Sequence, residues 1–458
     1  MISMTRSLTE ELADWVVGLD RKAVVEAAGD PARRCLLDTL GCGIAGSGTT
    51  EGRAAQAAVQ DVDAGDNCAI WGTPQRASAP GAALVNGTAA HALELDDVNY
   101  TIGHPGAPVI PAALAVGEWV AAAGRDILVA IIAGYEVESR IAGGLGFAAH
   151  SRRGWHPTGT CGGFGAAASA GILLGLTVDQ LVSALGLAGT TAGGVHAYKV
   201  DGAMSKRFHA GHAARDGVMA AVLARRGLTG PAWILDAEWG GLLAMMSDGA
   251  EPRRVVQDLG HDLAIGQVDF KLYPSCYSAH TAIEAALILG ARHAIHPDEV
   301  ATVVVRVNPL SARFCRATAS RSALAAQMSI PYGVAAALTR GRLTAAEFGE
   351  VMLQDPHVRD LEARVTLAVD ETLPDEREQA TVEIVLRSGD RVRETVEAPR
   401  GSVARPPSTA DLIEKFRGLA GLVLSREGFG ALEAAVMEDR FLDDATPLWR
   451  ALRGEASP

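Results

Sequence analysis

Lysine is scarce in this 458-residue chain: of 41 basic side chains only five, Lys22, Lys199, Lys206, Lys271 and Lys415, are lysine. Where arginine serves almost everywhere else, a retained lysine points to a place that needs a compact ammonium with a tunable pKa. Aromatic residues make up only 5% of the chain, against 51 glycines. That excludes a core built on large rings and favours helices packed closely through small residues. Positive charge is in deficit, the net charge being −13, which excludes nucleic acid as the main partner because phosphate binding needs a basic face. The six cysteines form no CxxC pair and no zinc-like spacing, so they read as reduced thiols. The opening segment reaches acidic residues by Glu10 and has no uninterrupted apolar core, so no secretory signal is read and a cytoplasmic location is expected. A long membrane-spanning run is lacking too. Residues 154–198 carry one formal charge, Asp179, but have too much Gly, Ala, Ser and Thr for a lipid-facing helix.

That stretch is instead expected to form two packed interior helices. Its leading GWHPTGT places His156 and two threonine hydroxyls at a helix mouth suited to an anion. Two polar clusters flank it, HALELDDVNYTIGHPGAP before and DGAMSKRFHAGHAARDG after, and the three together read as one site. Glu94, Asp96 and Asp97 precede His104 in a loop stiffened by prolines, a pairing of acid and imidazole that suits proton transfer. If residues 205 onward are helical, Lys206, His209 and His212 follow at intervals of three. His156, His209 and His212 are weighed as metal ligands and set aside, because nearby acids are few.

Elsewhere the chain reads mostly as helices. Residues 5–20 suit a helix capped at Thr9, and residues 33–40 continue as a helix into GCGIAG. This motif matches GxGxxG, with Asp61 at the distance of a ribose partner, but no βαβ alternation surrounds it, so it reads as a helix end and turn. Residues 110–146 suggest helix with Glu118, Arg125, Glu136, Glu138 and Arg140 on a polar face. At about residue 265 the texture changes. Residues 299–308 alternate like a half-buried strand, residues 329–338 open a helix on a proline, and residues 380–397 form two strands about a Ser-Gly-Asp turn. The organisation is therefore mainly α: a large all-helical domain from residues 1–265 and 403–458, with a smaller α+β domain, 266–402, inserted.

The segments HALELDDVNYTIGHPGAPVIPA, GWHPTGTCGGFGAAASAGILLGL, MSKRFHAGHAARDG, FKLYPSCYSAH and AQMSIPYGVAAAL occur in the order found in the MmgE/PrpD family, which the sequence resembles over nearly its whole length. The resemblance implies a homodimer and a cleft between domains, with no metal, nucleotide or other cofactor. It implies a catalytic set of Glu94, His104, His156, Lys206 and Tyr332, with Lys271, Cys276, His280, Arg207 and His209 binding substrate. Two positions depart from the decarboxylases of the family: Glu94 stands for Asp, and Cys276 for His. The chemistry implied is proton removal α to a carboxylate of a small di- or tricarboxylate, which needs fixed cations and a base. Loss of water is the first reading, a lyase of the hydro-lyase type resembling 2-methylcitrate dehydratase. Epimerisation or isomerisation of an iminodisuccinate-like substrate, decarboxylation, and a non-catalytic binding protein are the alternatives. A thiol at position 276 is expected to stay mostly protonated unless lowered by Lys271 or His280, and so to serve decarboxylation poorly.

Overall fold

A computed structural model describes residues 6–99, 102–316, 322–375 and 377–455. Tyr100 and Thr101, within the first polar cluster, lie outside it. The labelled elements begin with α1 (Leu8–Val17), α2 (Arg21–Ser47) and α3 (Thr50–Val62), followed by strands β1 (Ala64–Ala69) and β2 (Arg76–Ala77). Then come α4 (Ala79–Ala90), α5 (Gly106–Trp119), α6 (Gly124–Leu145), α7 (Gly162–Leu174), α8 (Val178–Thr190) and α9 (Ser205–Arg225). The remainder holds α10 (His280–His293), β3 (Val300–Val307), α11 (Ile330–Arg340), β4 (Val365–Val369), β5 (Ala380–Leu386), β6 (Arg391–Val396) and α12 (Thr409–Ala420). No helix among these residues is long and apolar enough to cross a membrane.

The fold is mainly α, and close approach of helix backbones is what the small residues provide. Gly211 of α9 faces the Leu84 carbonyl and Thr88 of α4, where an added Cβ would sit only 2.2 Å away. Gly217 lies as tightly on Ala166 of α7, and Gly134 of α6 on Val109 of α5. The stripe 154–198 is buried through α7, as expected, but α8 is only half-buried, with Asp179 on the surface. Other expectations are corrected. The cap of α1 is Ser7, paired reciprocally with Glu10, since Thr9 already lies inside the helix. GCGIAG is not a helix end but the last turns of α2, where Gly43 admits the Trp71 ring and Gly46 the Ala89 carbonyl. The helical part is not all helical: β1 and β2 pair antiparallel, and Asn86 of α4 secures the hairpin by accepting from Trp71 N–H and donating to the Ala69 carbonyl, both at 3.0 Å.

The polar face expected for residues 110–146 is likewise buried at its acids. Glu118 takes the Ala69 N–H at 2.8 Å and Arg453 at 2.7 Å, while Glu136 takes Arg140 at 2.6 Å and the Ala264 N–H at 2.8 Å. Neither carboxyl oxygen of Glu138 has a partner, and burial pushes its pKa well up.

A separate core forms between residues 279 and 396 on the sheet β4-β3-β5-β6, in which β3 runs parallel to β4 and the other pairs are antiparallel. Val303, Val305 and Val307 of β3 are wholly buried there, in a sheet that packs α10 against β5 and β6 and α11 against β4. After the sheet the chain returns to the first core. Phe416 of α12 packs on Gly41 of α2, and Lys415 binds Asp38 and the Leu95 carbonyl, both at 2.6 Å.

If backbone contact at the α4–α9 crossing holds these helices, Gly211→Ala lowers unfolding free energy by about 1–3 kcal/mol through overpacking. Gly143→Ala, in a helix with nothing within 4 Å of the new methyl, is neutral or stabilises by up to about 1 kcal/mol. Urea melts of the two variants check this; equal effects would place the constraint elsewhere.

Candidate functional site

Glu94 is the centre of the site. It follows the end of α4, is wholly buried and has φ of 55°, a left-handed conformation that a side chain other than glycine adopts only when its surroundings hold it. Three cations grip its carboxylate. Lys206 and Arg207 from the first turn of α9 both bind Oε1, and Lys271 binds Oε2 at 2.9 Å. Burial alone would raise the carboxyl, but Lys206, Lys271 and Arg207 hold it well below the ordinary carboxylate range. Glu94 is thus a fixed counter-charge. Arg207 also donates to Gln327 at 2.6 Å, and Gln327 donates to the Leu93 carbonyl at 3.1 Å, tying α9 and the residues before α11 to the same loop.

In front of this cluster lies a cleft of about 570 Å³, mouth included, where segments 94–206 meet segments 276–328. Glu94, His104, His156, Lys206 and Cys276 line it, five of the ten residues read from the sequence. The His104 loop is rigid: its N–H donates to Thr158 at 3.0 Å, and Asp97 accepts the Gly106 N–H at 3.0 Å and the Tyr135 hydroxyl at 2.6 Å. His104 Nδ1 meets the Asp97 carbonyl at 2.9 Å; a carbonyl only accepts, so Nδ1 carries the proton and Nε2 keeps its lone pair. Burial, then Lys271, pushes His104 well below its ordinary pKa, so the ring is neutral. His156 is likewise neutral through burial and Lys206, and its Nδ1 shares a 3.1 Å hydrogen bond with His209 Nδ1. The helix mouth expected at GWHPTGT is a four-residue turn, Pro157–Thr160, whose hydroxyls hold His104 and His150 and so leave no anion site.

The other five residues stand back from the cleft. Lys271 and Arg207 act on it through Glu94, and His209 through His156. His280 is wholly buried beside Tyr273 and Tyr277, and burial pushes it down to about 3. Tyr332, expected as an acid, sits in the core of the sheet region; its hydroxyl donates to the Glu347 carbonyl, and burial raises it further above its ordinary value, which removes it from proton transfer in the cleft. His212, the third of the spaced residues, points away and pairs with Asp216 at 3.2 Å.

The expectation of a protonated thiol at Cys276 is overturned. A hydrogen bond from Cys315 comes first, and Lys199, Lys271 and Lys206 add to it; against burial they bring Cys276 down to about 6. Cys315, well downstream, was not legible as its partner. Sequence reasoning also missed His91, Asp96 as its partner, and His196. His91 Nδ1 meets Asp96 Oδ2 at 2.7 Å, and its ring stands 4.6 Å from that of His104. The signal was present, since His91 opens the HALELDD segment. Ligand atoms of His91, Asp96 and His104 lie within 4.8 Å of one another, close enough for a cation. Lys206 and Lys271, which lower the two imidazoles, make that spot electropositive and oppose one.

Comparison with known proteins places this geometry. The MmgE/PrpD N-terminal domain matches residues 10–255, and the MmgE/PrpD C-terminal domain matches residues 273–438. The chain is 30% identical to the cis-aconitate decarboxylase-like protein oryM of Aspergillus oryzae, covering 98% of each. It is 29% identical to the cis-aconitate decarboxylase of Homo sapiens, over 99% of this chain and 96% of that protein. With the 2-methylcitrate dehydratase of Cupriavidus necator it shares 27% identity, over 89% of this chain and 88% of that one. Both domains of the family are present in order over nearly the full length, and the chain belongs to the MmgE/PrpD family.

Proposed function

We propose that the protein is a metal-independent lyase that removes a proton α to a carboxylate of a small di- or tricarboxylate and then expels water. The observation that carries this reading is His104, a neutral imidazole whose Nε2 lone pair is fixed on the same cleft as the Lys206 ammonium. His104 takes the α proton. Charge then builds on the substrate carboxylate, where Lys206 meets it, and three cations against one carboxylate leave the region behind it net positive. The proton that His104 has taken up then leaves with the departing hydroxyl as water, while neutral His156, its orientation held by His209, hydrogen-bonds the substrate.

Cys276 supports elimination over decarboxylation, for a reason opposite to the one read from the sequence. With a pKa of about 6 it is mostly thiolate at neutral pH and has no proton to deliver to the carbanion that loss of carbon dioxide leaves. Decarboxylation is the second reading, favoured by near full-length similarity to cis-aconitate decarboxylases. Reprotonation of the same intermediate would make an epimerase. A homodimer belongs to this reading, supported by the apolar side chains of Met204, Phe208, Met219 and Leu223, left exposed along or beside α9.

In deuterated buffer, 2-methylcitrate or a related hydroxylated polycarboxylate loses water or exchanges its α-hydrogen, while cis-aconitate releases no carbon dioxide; proton NMR reads both. The rate survives dialysis against a chelator. Rapid itaconate formation from cis-aconitate would establish the second reading, and a loss restored by a divalent ion would give His91, Asp96 and His104 a metal to hold.

Lys206→Met lowers kcat by about 10²-fold or more yet leaves thermal stability nearly unchanged, because Arg207 and Lys271 still balance Glu94. Glu94→Ala instead strands buried cations and costs about 3–5 kcal/mol of stability. Melting temperature and turnover measured side by side separate these outcomes from a purely structural Lys206.

Burial lowers the Lys206 ammonium to about 8 although Glu94 opposes the shift. The catalytic form is the protonated one, so kcat/KM falls as pH rises through about 8. His104, held well below its ordinary value, adds no acid limb near neutrality. A pH profile tests this, and Lys206→Arg removes the alkaline limb because guanidinium stays charged.

A further inference from the structure

Of the lysines that mark special places in this chain, Lys199 has no part in the reaction just described. It lies in the short helix Tyr198–Asp201, and its ammonium sits 3.6 Å from the centroid of the Phe314 ring. Among the described residues no carboxylate lies within 4.0 Å of it, whereas Lys206 and Lys271 both grip Glu94. Its backbone N–H donates to the His196 carbonyl at 2.9 Å, so the two side chains leave a single turn. Both line the cleft. His196 is equally unsatisfied: its Nε2 is buried without a hydrogen-bond partner. The ring stands 5.5 Å from His156 on one side and 5.9 Å from Phe314 on the other. Both side chains line one cavity, and a carboxylate bound there would pair with the ammonium and offer the buried ring nitrogen a partner on a small ring movement.

We propose that Lys199 and His196 form a second carboxylate subsite, beyond His156 from the reacting centre, and that it selects tricarboxylates over dicarboxylates. This rests on the polycarboxylate reading of the cleft. The carboxylate next to the reacting carbon falls to Lys206, and a remote one falls to Lys199, with the Phe314 ring holding the ammonium in place by a cation–π contact. His196 is pushed down to about 2 by burial and then by Lys199 and Lys206, so it serves as a neutral hydrogen-bond donor and adds no charge. Selectivity then follows from leaving the subsite empty: a dicarboxylate abandons a desolvated cation and a buried ring nitrogen that a tricarboxylate engages.

The experiment is calorimetric binding of two unreactive probes to the full-length protein. Tricarballylate carries three carboxylates, and methylsuccinate is the same molecule with one terminal carboxylate replaced by hydrogen. The wild type binds tricarballylate at least tenfold more tightly. Lys199→Met erases that preference by weakening tricarballylate tenfold or more while changing methylsuccinate less than twofold, Lys199→Arg restores most of it, and circular dichroism melts confirm folding. Wild-type binding of both probes with equal loss, or no loss, in Lys199→Met overturns the subsite while leaving the polycarboxylate reading intact. If Lys199 serves only as counter-charge to the Cys276 thiolate, tricarballylate binding stays unchanged and the pH at which Cys276 reacts with iodoacetamide rises; that result also overturns the proposal. Failure of the wild type to bind either probe would remove the polycarboxylate reading, and the subsite with it.

Discussion

One buried carboxylate holding three buried cations is the constraint on which the cleft depends. Glu94 can be ionised there only because Lys206, Arg207 and Lys271 surround it, and the three cations can lie together only because Glu94 lies among them. Each comes from a segment with its own packing demand. α9 must approach α4 until backbones touch, which is why Gly211 stands opposite Leu84 and Thr88. The Glu94 backbone takes a left-handed conformation at the point where its side chain meets the three partners. Small residues and salt bridges, apparently unrelated features of the composition, thus serve one arrangement.

The same cations govern the protonation of everything in front of them. They depress the imidazoles of His104 and His156 beyond what burial alone does, and they help ionise Cys276. A cleft of neutral histidines and a thiolate beside ammonium groups is suited to accepting a proton from an anionic substrate. Asp97 behaves in the opposite sense. Burial lifts it to about 8, so it stays largely protonated at neutral pH and holds the His104 loop without placing another full negative charge in the cleft.

Much of this was legible in the chain itself, for identifiable reasons. The mainly helical fold follows from Gly- and Ala-rich stretches, and β3, β5 and β6 showed as alternating segments. The β4 strand did not, because only five residues pair, in parallel, with a strand far away in sequence. Scarcity of lysine drew attention to Lys206 and Lys271, and both bind Glu94. What failed were inferences about surroundings. Tyr332 has the right chemistry at the start of a helix, but its hydroxyl is taken by the Glu347 carbonyl. The acids of α5 and α6 fell at helical spacing that suggests a solvated face, yet neighbouring elements cover them. Cys276 looked like an ordinary thiol because nothing near it in the sequence announces Cys315.

The partners of Glu94 also bear on how the chain reaches its native state. Lys206 and Arg207 follow it by more than a hundred residues, Lys271 by more still, and Lys415, which braces the adjoining Leu95, belongs to the last helices. No short-range contact can neutralise the carboxylate. Bringing these partners to it requires the closure of loops of that length, so the cleft depends on contacts between segments distant in the sequence. The active architecture is then a product of global closure: its lining is drawn from residues 94 to 328, and no single run of helices encloses it alone.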